Sequence, residues 1–190
     1  MTGDEQVLAL LESGDERGAA TELLKAHGPA VLRYLRSLLR EPAAADDAFS
    51  LFAEWAWTGL PRFQRASPLR TWAFGIAWNA ARRVRDEAWH KHKERLKTAD
   101  ASKLAAEIRA SSALALDRKS ERLEELRRNL SPEDRNLLIL RIDQRLAWEE
   151  VAAILSAAGE TTSASVLRKR FERLKERIGR MARERGLVKH

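Results

Sequence analysis

Residues 146–186 read LAWEEVAAILSAAGETTSASVLRKRFERLKERIGRMARERG, and this stretch decides the fold of the second half of the chain. An apolar helical pattern from Trp148 to Leu155 leads through a small polar turn into a long amphipathic helix, which is the pattern of a helix-turn-helix. One face of the second helix carries Leu167, Phe171, Leu174 and Ile178 at helical spacing. Its other faces carry Arg168, Lys169, Arg170, Arg173, Lys175 and Arg177. We therefore expect one side to pack inward and the rest to meet phosphate.

The positive charge of the chain is concentrated in this segment. From Ser163 to His190, ten Lys and Arg stand against three Glu, a net charge of +7, which equals the net charge of all 190 residues. Cations on a helix that fits the major groove displace counterions from DNA and supply sequence-independent affinity, and one or two of them can read base edges. The alternative is a solvated basic face on an ordinary helix, which the pattern alone leaves open.

A supporting helix is predicted just before the motif. The run Ser131-Pro132-Glu133-Asp134 offers an N-cap, a proline at the first helical position and two acids near the positive end of the helix dipole. The apolar residues expected to be buried on this helix are Leu137, Leu138, Leu140 and Ile142. The predicted order is supporting helix, first helix of the motif, turn and recognition helix.

The first half of the chain also has helical patterns. We expect a helix over residues 15–27 that stops at the following Gly-Pro pair, then a second over residues 30–40. A third opens at Asp46 and Asp47 and ends near Gly59. Its apolar stripe comprises Ala48, Leu51, Phe52 and Trp55. A small helical bundle is therefore predicted.

A basic and aromatic loop, LPRFQRAS at residues 60–67, separates this bundle from a long helix that runs toward Trp89. Rings beside arginines suit single-stranded nucleic acid, because unstacked bases lie on ring faces while cations neutralise the backbone. The alternative is that most rings are core. Spacing within apolar stripes assigns Trp55 and Trp72 to the core and leaves Trp57 and Trp78 open.

Length and composition favour two small domains, since 33% of the residues are charged, which is high for one compact core. We expect an all-α protein with helical domains at residues 1–96 and 121–190. Residues 97–120 are rich in Ala, Ser, Lys and Asp with weak periodicity, and are predicted to be a flexible, partly helical linker. Its Leu104, Ile108, Leu114 and Leu116 are candidates for docking on a partner.

Several functional classes lack their signatures. The chain has no cysteine, its four histidines are scattered, and it shows no Gly-rich phosphate loop, paired-carboxylate motif or nucleophile elbow. We therefore expect no enzymatic activity, no cofactor and no metal site. No apolar run approaches membrane-spanning length and the acidic N-terminus does not read as a signal peptide, so a soluble cytoplasmic protein is expected.

Four motifs together resemble the extracytoplasmic-function (ECF) group of bacterial RNA polymerase sigma factors of the sigma-70 family. They are DDAF at residues 46–49 with Phe52, RFQRASPLRTWAFGIAWN at residues 62–79, LSPEDR at residues 130–135 and WEEVA at residues 148–152. The resemblance covers most of the chain. It implies a region 2 bundle and a region 4 helix-turn-helix domain joined by a linker.

The resemblance also implies a transcription initiation factor that binds core RNA polymerase and selects promoter DNA, with an anti-sigma factor or another regulatory protein as a further partner. The polymerase-binding residues would be Asp46, Asp47, Phe49 and Phe52. The residues that bind and melt the minus-ten element would be Arg62, Phe63, Gln64, Arg65, Ser67, Arg70, Trp78, Asn79, Arg82 and Arg83, with a flipped base held between Phe63 and Ser67. The residues that read the minus-thirty-five element would be Ser165, Val166, Arg168, Lys169, Glu172 and Arg173. The linker would thread toward the RNA channel of the polymerase and be ordered only in the complex.

Two features depart from the family pattern. The turn at residues 156–162 is longer than the family's usual tight turn, and Gly75 and Trp78 stand where polar or basic residues are expected. Two alternatives stay open at this stage: a helix-turn-helix regulator that binds DNA alone, and a degenerate sigma-like protein that acts by protein–protein interaction. The N-terminal 47 residues carry nine acids and five Lys and Arg, and they could attract the basic C-terminal segment and mask it.

Overall fold

The computed structural model of the chain describes residues 2–85, 99–113 and 127–185, and these residues form helices and connecting turns with no strand among them. The chain divides into two compact units, Met1–Leu116 and Asp117–His190, and each is described by itself. The all-α fold class predicted from the sequence is confirmed. Within the described residues, no helix is both long enough and apolar enough to cross a membrane.

The described part of the first unit contains five α-helices. They are α1 (Gly3–Glu12), α2 (Glu16–Leu38), α3 (Pro42–Gly59), α4 (Leu69–Arg85) and α5 (Ala99–Ala113), with a 3-10 turn at Leu60–Arg62 between α3 and α4. Thr2 and Glu5 form a reciprocal capping box at the start of α1, and the Asp15 carboxylate caps α2 by accepting from the Gly18 N–H at 2.8 Å. Each cap satisfies backbone donors that the first helical turn leaves unpaired.

One helix spans the region where the sequence predicted two, since α2 continues through Pro29. The expected stop at the Gly-Pro pair was wrong. The buried stripe of Leu23, Leu24, Val31 and Leu35 runs without a break across this point, and its packing outweighs the backbone hydrogen bond that proline removes. Similarly, α3 begins at Pro42, four residues before the predicted start, because proline is favoured in the first turn of a helix.

The core of this unit is aromatic. The largest fully buried side chains include Tyr34, Phe49, Phe52, Phe74 and Trp78. The ring of Tyr34 meets that of Phe74 edge to face at 5.2 Å, while Phe49 and Phe52 lie 5.7 Å apart. Burial raises the pKa of the Tyr34 hydroxyl well above its ordinary value, so this side chain is neutral under physiological conditions.

The described part of the predicted linker is a helix that packs on the first unit, which differs from a flexible tether. Helix α5 lies against α2 and α3 and buries Ala101, Ala105 and Ile108. The Arg109 guanidinium donates to the Ser50 hydroxyl of α3 at 2.6 Å. Its apolar residues are small and few, so the sequence pattern was weak although they share one helix face. The first unit thus extends to residue 116 instead of 96; Leu114 and Leu116 lie outside the described residues.

Gly28 makes the close approach of α5 to α2 possible. A Cβ atom at this position would lie 2.7 Å from Cδ1 of Ile108 and 3.6 Å from Cζ of Phe49. Glycine inside a helix lowers stability by about 1 kcal/mol relative to alanine, but here it leaves room for a buried isoleucine from a distant segment.

The described part of the second unit contains three α-helices in the predicted order. They are α6 (Pro132–Leu138), α7 (Trp148–Ala157) and α8 (Ala164–Glu184), with a π-helical turn at Ile139–Asp143 after α6. This π turn shifts the buried face, so Ile139 is buried while Ile142 is 51% exposed, and the prediction that Ile142 is buried was wrong. The guanidinium of buried Arg135 donates to the carbonyls of Arg127, Arg128 and Leu130.

Candidate nucleic-acid interface

The basic and aromatic loop between α3 and α4 is held at both ends by backbone hydrogen bonds. The Phe63 N–H donates to the Leu60 carbonyl at 3.0 Å, and the Trp72 N–H donates to the Pro68 carbonyl at 3.0 Å. The rings of these two residues, Phe63 and Trp72, lie against each other with their centroids 5.2 Å apart. Both rings are half-buried, so each offers part of its surface to solvent. The loop therefore presents an aromatic platform.

Trp72 is the functional candidate that the sequence reasoning missed. Its spacing assigned it to the core, yet the structure places it at the surface, where the platform continues along α4 through Ile76, Asn79 and Arg83. These positions follow one another at intervals of three and four residues, so they share one face of the helix. The sequence did contain a hint, because this stripe begins beside the basic and aromatic loop and ends at an arginine.

Trp78, in contrast, is fully buried, so its side chain offers no surface to DNA in this conformation, and its contact with minus-ten DNA stays a prediction. It lies on the face of α4 that carries Phe74 and Ala81 into the core. Its indole N–H has no hydrogen-bond partner among the described residues, and the guanidinium of Arg85 lies 5.4 Å from its ring centroid. Trp78 and Trp72 thus exchange the roles that the sequence assigned to them.

The predicted minus-ten residues of the loop are accessible. Arg62, Gln64 and Arg65 are exposed, and Phe63 and Ser67 are half-buried. Arg65 has a left-handed backbone with φ of 57°, and its guanidinium forms an ion pair with Glu12 of α1 at 2.7 Å. The left-handed region is unfavourable for a residue with a Cβ atom, so this loop conformation is held by its surroundings.

The predicted cations and amide of α4 also reach the surface. Arg83 is exposed, while Arg70, Asn79 and Arg82 are half-buried. The guanidinium of Arg70 lies 5.7 Å from the ring centroid of Phe74. The structure thus brings these side chains onto the helix that continues the aromatic platform, where they can neutralise phosphates beside a stacked strand.

The predicted polymerase-binding residues fall into two groups. Phe49 and Phe52 are fully buried core residues, so neither offers a surface to a partner in this conformation, and their contact with polymerase stays a prediction. Asp46 and Asp47 are half-buried near the start of α3, and an oxygen of Asp46 lies 3.5 Å from the guanidinium of Arg36. Of the four predicted residues, the two aspartates are the ones that reach the surface, where they form an acidic edge.

In the second unit, all six predicted minus-thirty-five residues are exposed on α8. They are Ser165, Val166, Arg168, Lys169, Glu172 and Arg173, and Val166 is 55% exposed. The Ser163 hydroxyl caps this helix by accepting from the Val166 N–H at 3.4 Å, which starts α8 directly after the long polar turn. Leu167, Phe171 and Leu174 are buried on the opposite face. The exposed face therefore belongs to the N-terminal half of the helix.

The cations of α8 differ in their ion pairs. Arg168 lies 3.2 Å from Glu149 of α7, and both side chains are exposed. Among the described residues, neither Lys169 nor Arg173 forms an ion pair, so both can contact an external anion. Two other arginines of α8 are bound by Asp134 of α6. Burial alone would raise the pKa of Asp134, but hydrogen bonds from Arg177 and Arg170 hold it below the ordinary value of 3.8.

The described residues contain no cluster of His, Asp and Glu that could hold a metal ion. A groove of about 530 Å³ beside the start of α2 is lined by Asp15, Arg17, Trp57 and Asp100 among others, and it lacks convergent groups for catalysis.

Comparison with known proteins gives two matches. The Sigma-70 region 2 family matches residues 23–90, which include α3, the aromatic loop and α4. The chain is also 32% identical over 183 residues to proteins named ECF RNA polymerase sigma factor SigD in Mycobacterium tuberculosis and Mycobacterium bovis. The alignment covers 90% of this chain and 82% of each relative, so it reaches both units. No solved structure matches the chain.

Proposed function

The chain belongs to the extracytoplasmic-function group of RNA polymerase sigma factors, and on this premise we propose how its two units select and open a promoter. It acts as a transcription initiation factor that directs RNA polymerase. The first unit binds core polymerase and captures the melted minus-ten element. The second unit reads the minus-thirty-five element as duplex DNA.

The observation that carries this proposal is the surface position of the Phe63–Trp72 ring pair at the head of a polar and cationic helix face. A base that leaves the DNA stack loses stacking energy, and an aromatic platform returns part of it. Asn79 and Arg83 lie farther along the same face of α4, where they can meet the adjoining strand. Such an arrangement favours single-stranded DNA over duplex, because duplex bases do not expose their faces.

The second unit supports duplex reading by different means. Its α8 presents a serine, a glutamate and two cations that form no ion pair within the described residues, all on the exposed face of the helix N-terminal half. A helix of this kind fits the major groove, where Lys or Arg pairs with guanine O6 and N7 and Glu accepts from cytosine N4. Lys169, Arg173 and Glu172 are the proposed base-reading residues, and Arg168 contacts phosphate.

Polymerase binding is assigned to the acidic edge formed by Asp46 and Asp47 at the start of α3. Both carboxylates reach the surface beside a hydrophobic core that holds α3 rigid. Ionised groups on a rigid element give orientation and rapid association more than raw affinity. We therefore expect this edge to dock on a basic surface of the polymerase.

Run-off transcription tests the proposal. The purified chain is mixed with core RNA polymerase and a library of genomic fragments, and transcript starts are mapped by sequencing. We expect starts at a small set of promoters that share two spaced elements, and none with the chain or the core enzyme alone. A chain that binds duplex sites tightly without polymerase, or that binds polymerase without producing starts, would contradict the assignment.

A further inference from the structure

One carboxylate of the supporting helix binds two cations of the recognition helix. Oδ1 of Asp134 accepts from Nε of Arg170 at 3.0 Å and lies 2.9 Å from its Nη2, while Oδ2 accepts from Nη2 of Arg177. The Asp134 side chain is only 13% exposed. The backbone N–H of Asp134 donates to the Ser131 hydroxyl, which caps α6. This hydrogen bond fixes the backbone position from which the carboxylate extends.

The two arginines are themselves not buried. Arg170 and Arg177 stand seven residues apart, two helical turns, and flank the buried stripe of α8 on the same side. Their side chains are 37% and 45% exposed, so water would solvate both guanidinium groups if Asp134 were absent. Asp134 therefore forms ion pairs with two cations of α8 that are not buried.

We propose that Asp134 is a specificity-determining residue, which withholds Arg170 and Arg177 from DNA phosphates so that the exposed face of α8 dominates binding. This inference rests on the proposed function of α8 in reading DNA. Phosphate contacts add affinity without sequence information, whereas base contacts carry the discrimination. A helix with every cation free would bind any duplex well, and its preference for one sequence would fall.

Replacing Asp134 by Asn gives opposite predictions for this role and for a purely structural one. The amide keeps the size of the side chain but loses the charge, which releases two arginines at the edge of the DNA-binding face. We expect non-specific duplex binding to become stronger and more salt-dependent. If Asp134 only supports the fold, its loss should weaken binding to every sequence alike.

The first experiment uses the full chain without polymerase and a fluorescent duplex of mixed sequence. Anisotropy titrations over a range of salt concentrations give the slope of log affinity against log salt. For Asp134→Asn we expect roughly threefold to tenfold tighter binding at low salt, and a slope steeper by about one to two, at about 0.9 per added phosphate contact. A slope equal to or shallower than that of the native chain overturns the proposal.

Two variants control this measurement. Asp143→Asn removes an acid that is ion-paired with Arg127 at 2.9 Å, so it makes the same chemical change in the same unit away from α8. We expect it to leave the slope unchanged. Adding Arg170→Gln and Arg177→Gln to Asp134→Asn removes the released cations, and the slope should return to the native value. A slope that stays steep in this triple variant also contradicts the proposal.

The second experiment uses the holoenzyme on a promoter recovered by run-off selection and on a copy with a scrambled upstream element. We expect Asp134→Asn to lower the ratio of the two affinities about tenfold, and Asp134→Glu, which keeps the charge, to restore much of it. An unchanged ratio counts against the inference. If the native holoenzyme selects no promoter, the proposed function fails, and the salt slope of the free chain still decides the role of Asp134.

Discussion

The ring of Phe63 lies 5.2 Å from the ring of Trp72 at an interplanar angle of 51°, and this pair joins the loop after α3 to the first turn of α4. Gly59 lies below it, where an added Cβ would stand 3.5 Å from Cζ2 of Trp72. Both residues of the pair are half-buried, so each keeps part of its surface accessible. This geometry makes the loop a platform for unstacked bases.

Replacing Phe63 by Ala should weaken capture of single-stranded minus-ten DNA by the holoenzyme. Stacking of one base on a ring contributes about 1–3 kcal/mol, so we expect a loss of about fivefold to 150-fold in affinity. The measurement is binding of a fluorescent non-template oligonucleotide that carries the minus-ten element. Trp57→Ala, a half-buried tryptophan outside the loop, is the matched control. Equal losses in the two variants would contradict the platform.

Arg65→Gly should relieve the strained backbone of the loop and should also lower its affinity for DNA, and the two effects can be measured separately. Glycine adopts a φ of 57° without the steric conflict of a Cβ atom, and the lost ion pair with Glu12 is solvent-exposed and weak. We expect folding stability measured in urea to stay level or to rise by up to about 1 kcal/mol. Oligonucleotide binding should fall, because a cation is lost. A large drop in stability would show that Arg65 holds the loop through contacts of its side chain.

Phe52→Ala should lower folding stability, whereas Asp47→Arg should lower polymerase affinity and leave stability nearly unchanged. Phe52 is fully buried, so its truncation should destabilise the chain by about 3–5 kcal/mol in chemical unfolding. Asp47 reaches the surface, so its replacement should change stability by less than about 0.5 kcal/mol while it weakens binding to core polymerase. The pair is checked by urea unfolding and by co-elution with the polymerase. If Asp47→Arg binds polymerase with native affinity, the acidic edge does not contribute to polymerase binding.

The helix order of the second unit, and the exposed face of α8, follow from hydrophobic periodicity and charge, which are local properties of the sequence. The exchange of Trp72 and Trp78 could not be predicted in the same way. Both residues fit apolar stripes on α4, and which stripe faces the core depends on packing against α3 and against Tyr34 of α2. Burial of Phe49 and Phe52, which belong to the predicted polymerase-binding motif, depends on the same kind of tertiary contact.

The docking of α5 was hidden for a related reason. The buried residues of α5 are two alanines and one isoleucine, so its apolar pattern in the sequence was weak. The surface that receives α5 is formed by two different helices, with Gly28 from α2 and Ser50 from α3. A sequence pattern indicates which face of a helix is apolar, but it does not indicate which surface of the protein that face packs against.

A double-mutant cycle at Gly28 and Ile108 tests that docking. Gly28→Ala gains helix propensity of about 1 kcal/mol but places a Cβ 2.7 Å from Cδ1 of Ile108, which forces a shift. Ile108→Val removes this Cδ1 atom at a loss of about 0.5–1.5 kcal/mol. We expect the double variant to be more stable than the sum of the single changes predicts, by about 0.5 kcal/mol or more in urea unfolding. Simple additivity would mean that α5 does not pack there.

The second unit should lose stability in acid through Asp134. Its pKa is lowered on folding, so the ionised form is stabilised above the ordinary value of 3.8, and this contribution disappears as pH falls through the lowered pKa. Because both arginines are partly exposed, water screens the two ion pairs, and we expect a smaller effect than a fully buried pair would give. Urea unfolding followed by amide NMR signals of α8 measures it from pH 6 to pH 2. Asp134→Asn should flatten this part of the profile; an unchanged acid dependence would place its origin elsewhere.

Permanganate reactivity of promoter thymines tests the central claim most directly, because it reports unstacked bases in the minus-ten element. The chain, core polymerase and a selected promoter are combined without ATP or other nucleotides. We predict reactive thymines only when both proteins are present, and a marked loss of reactivity with Phe63→Ala. Reactivity with the chain alone, or none with the complete mixture, would contradict the account.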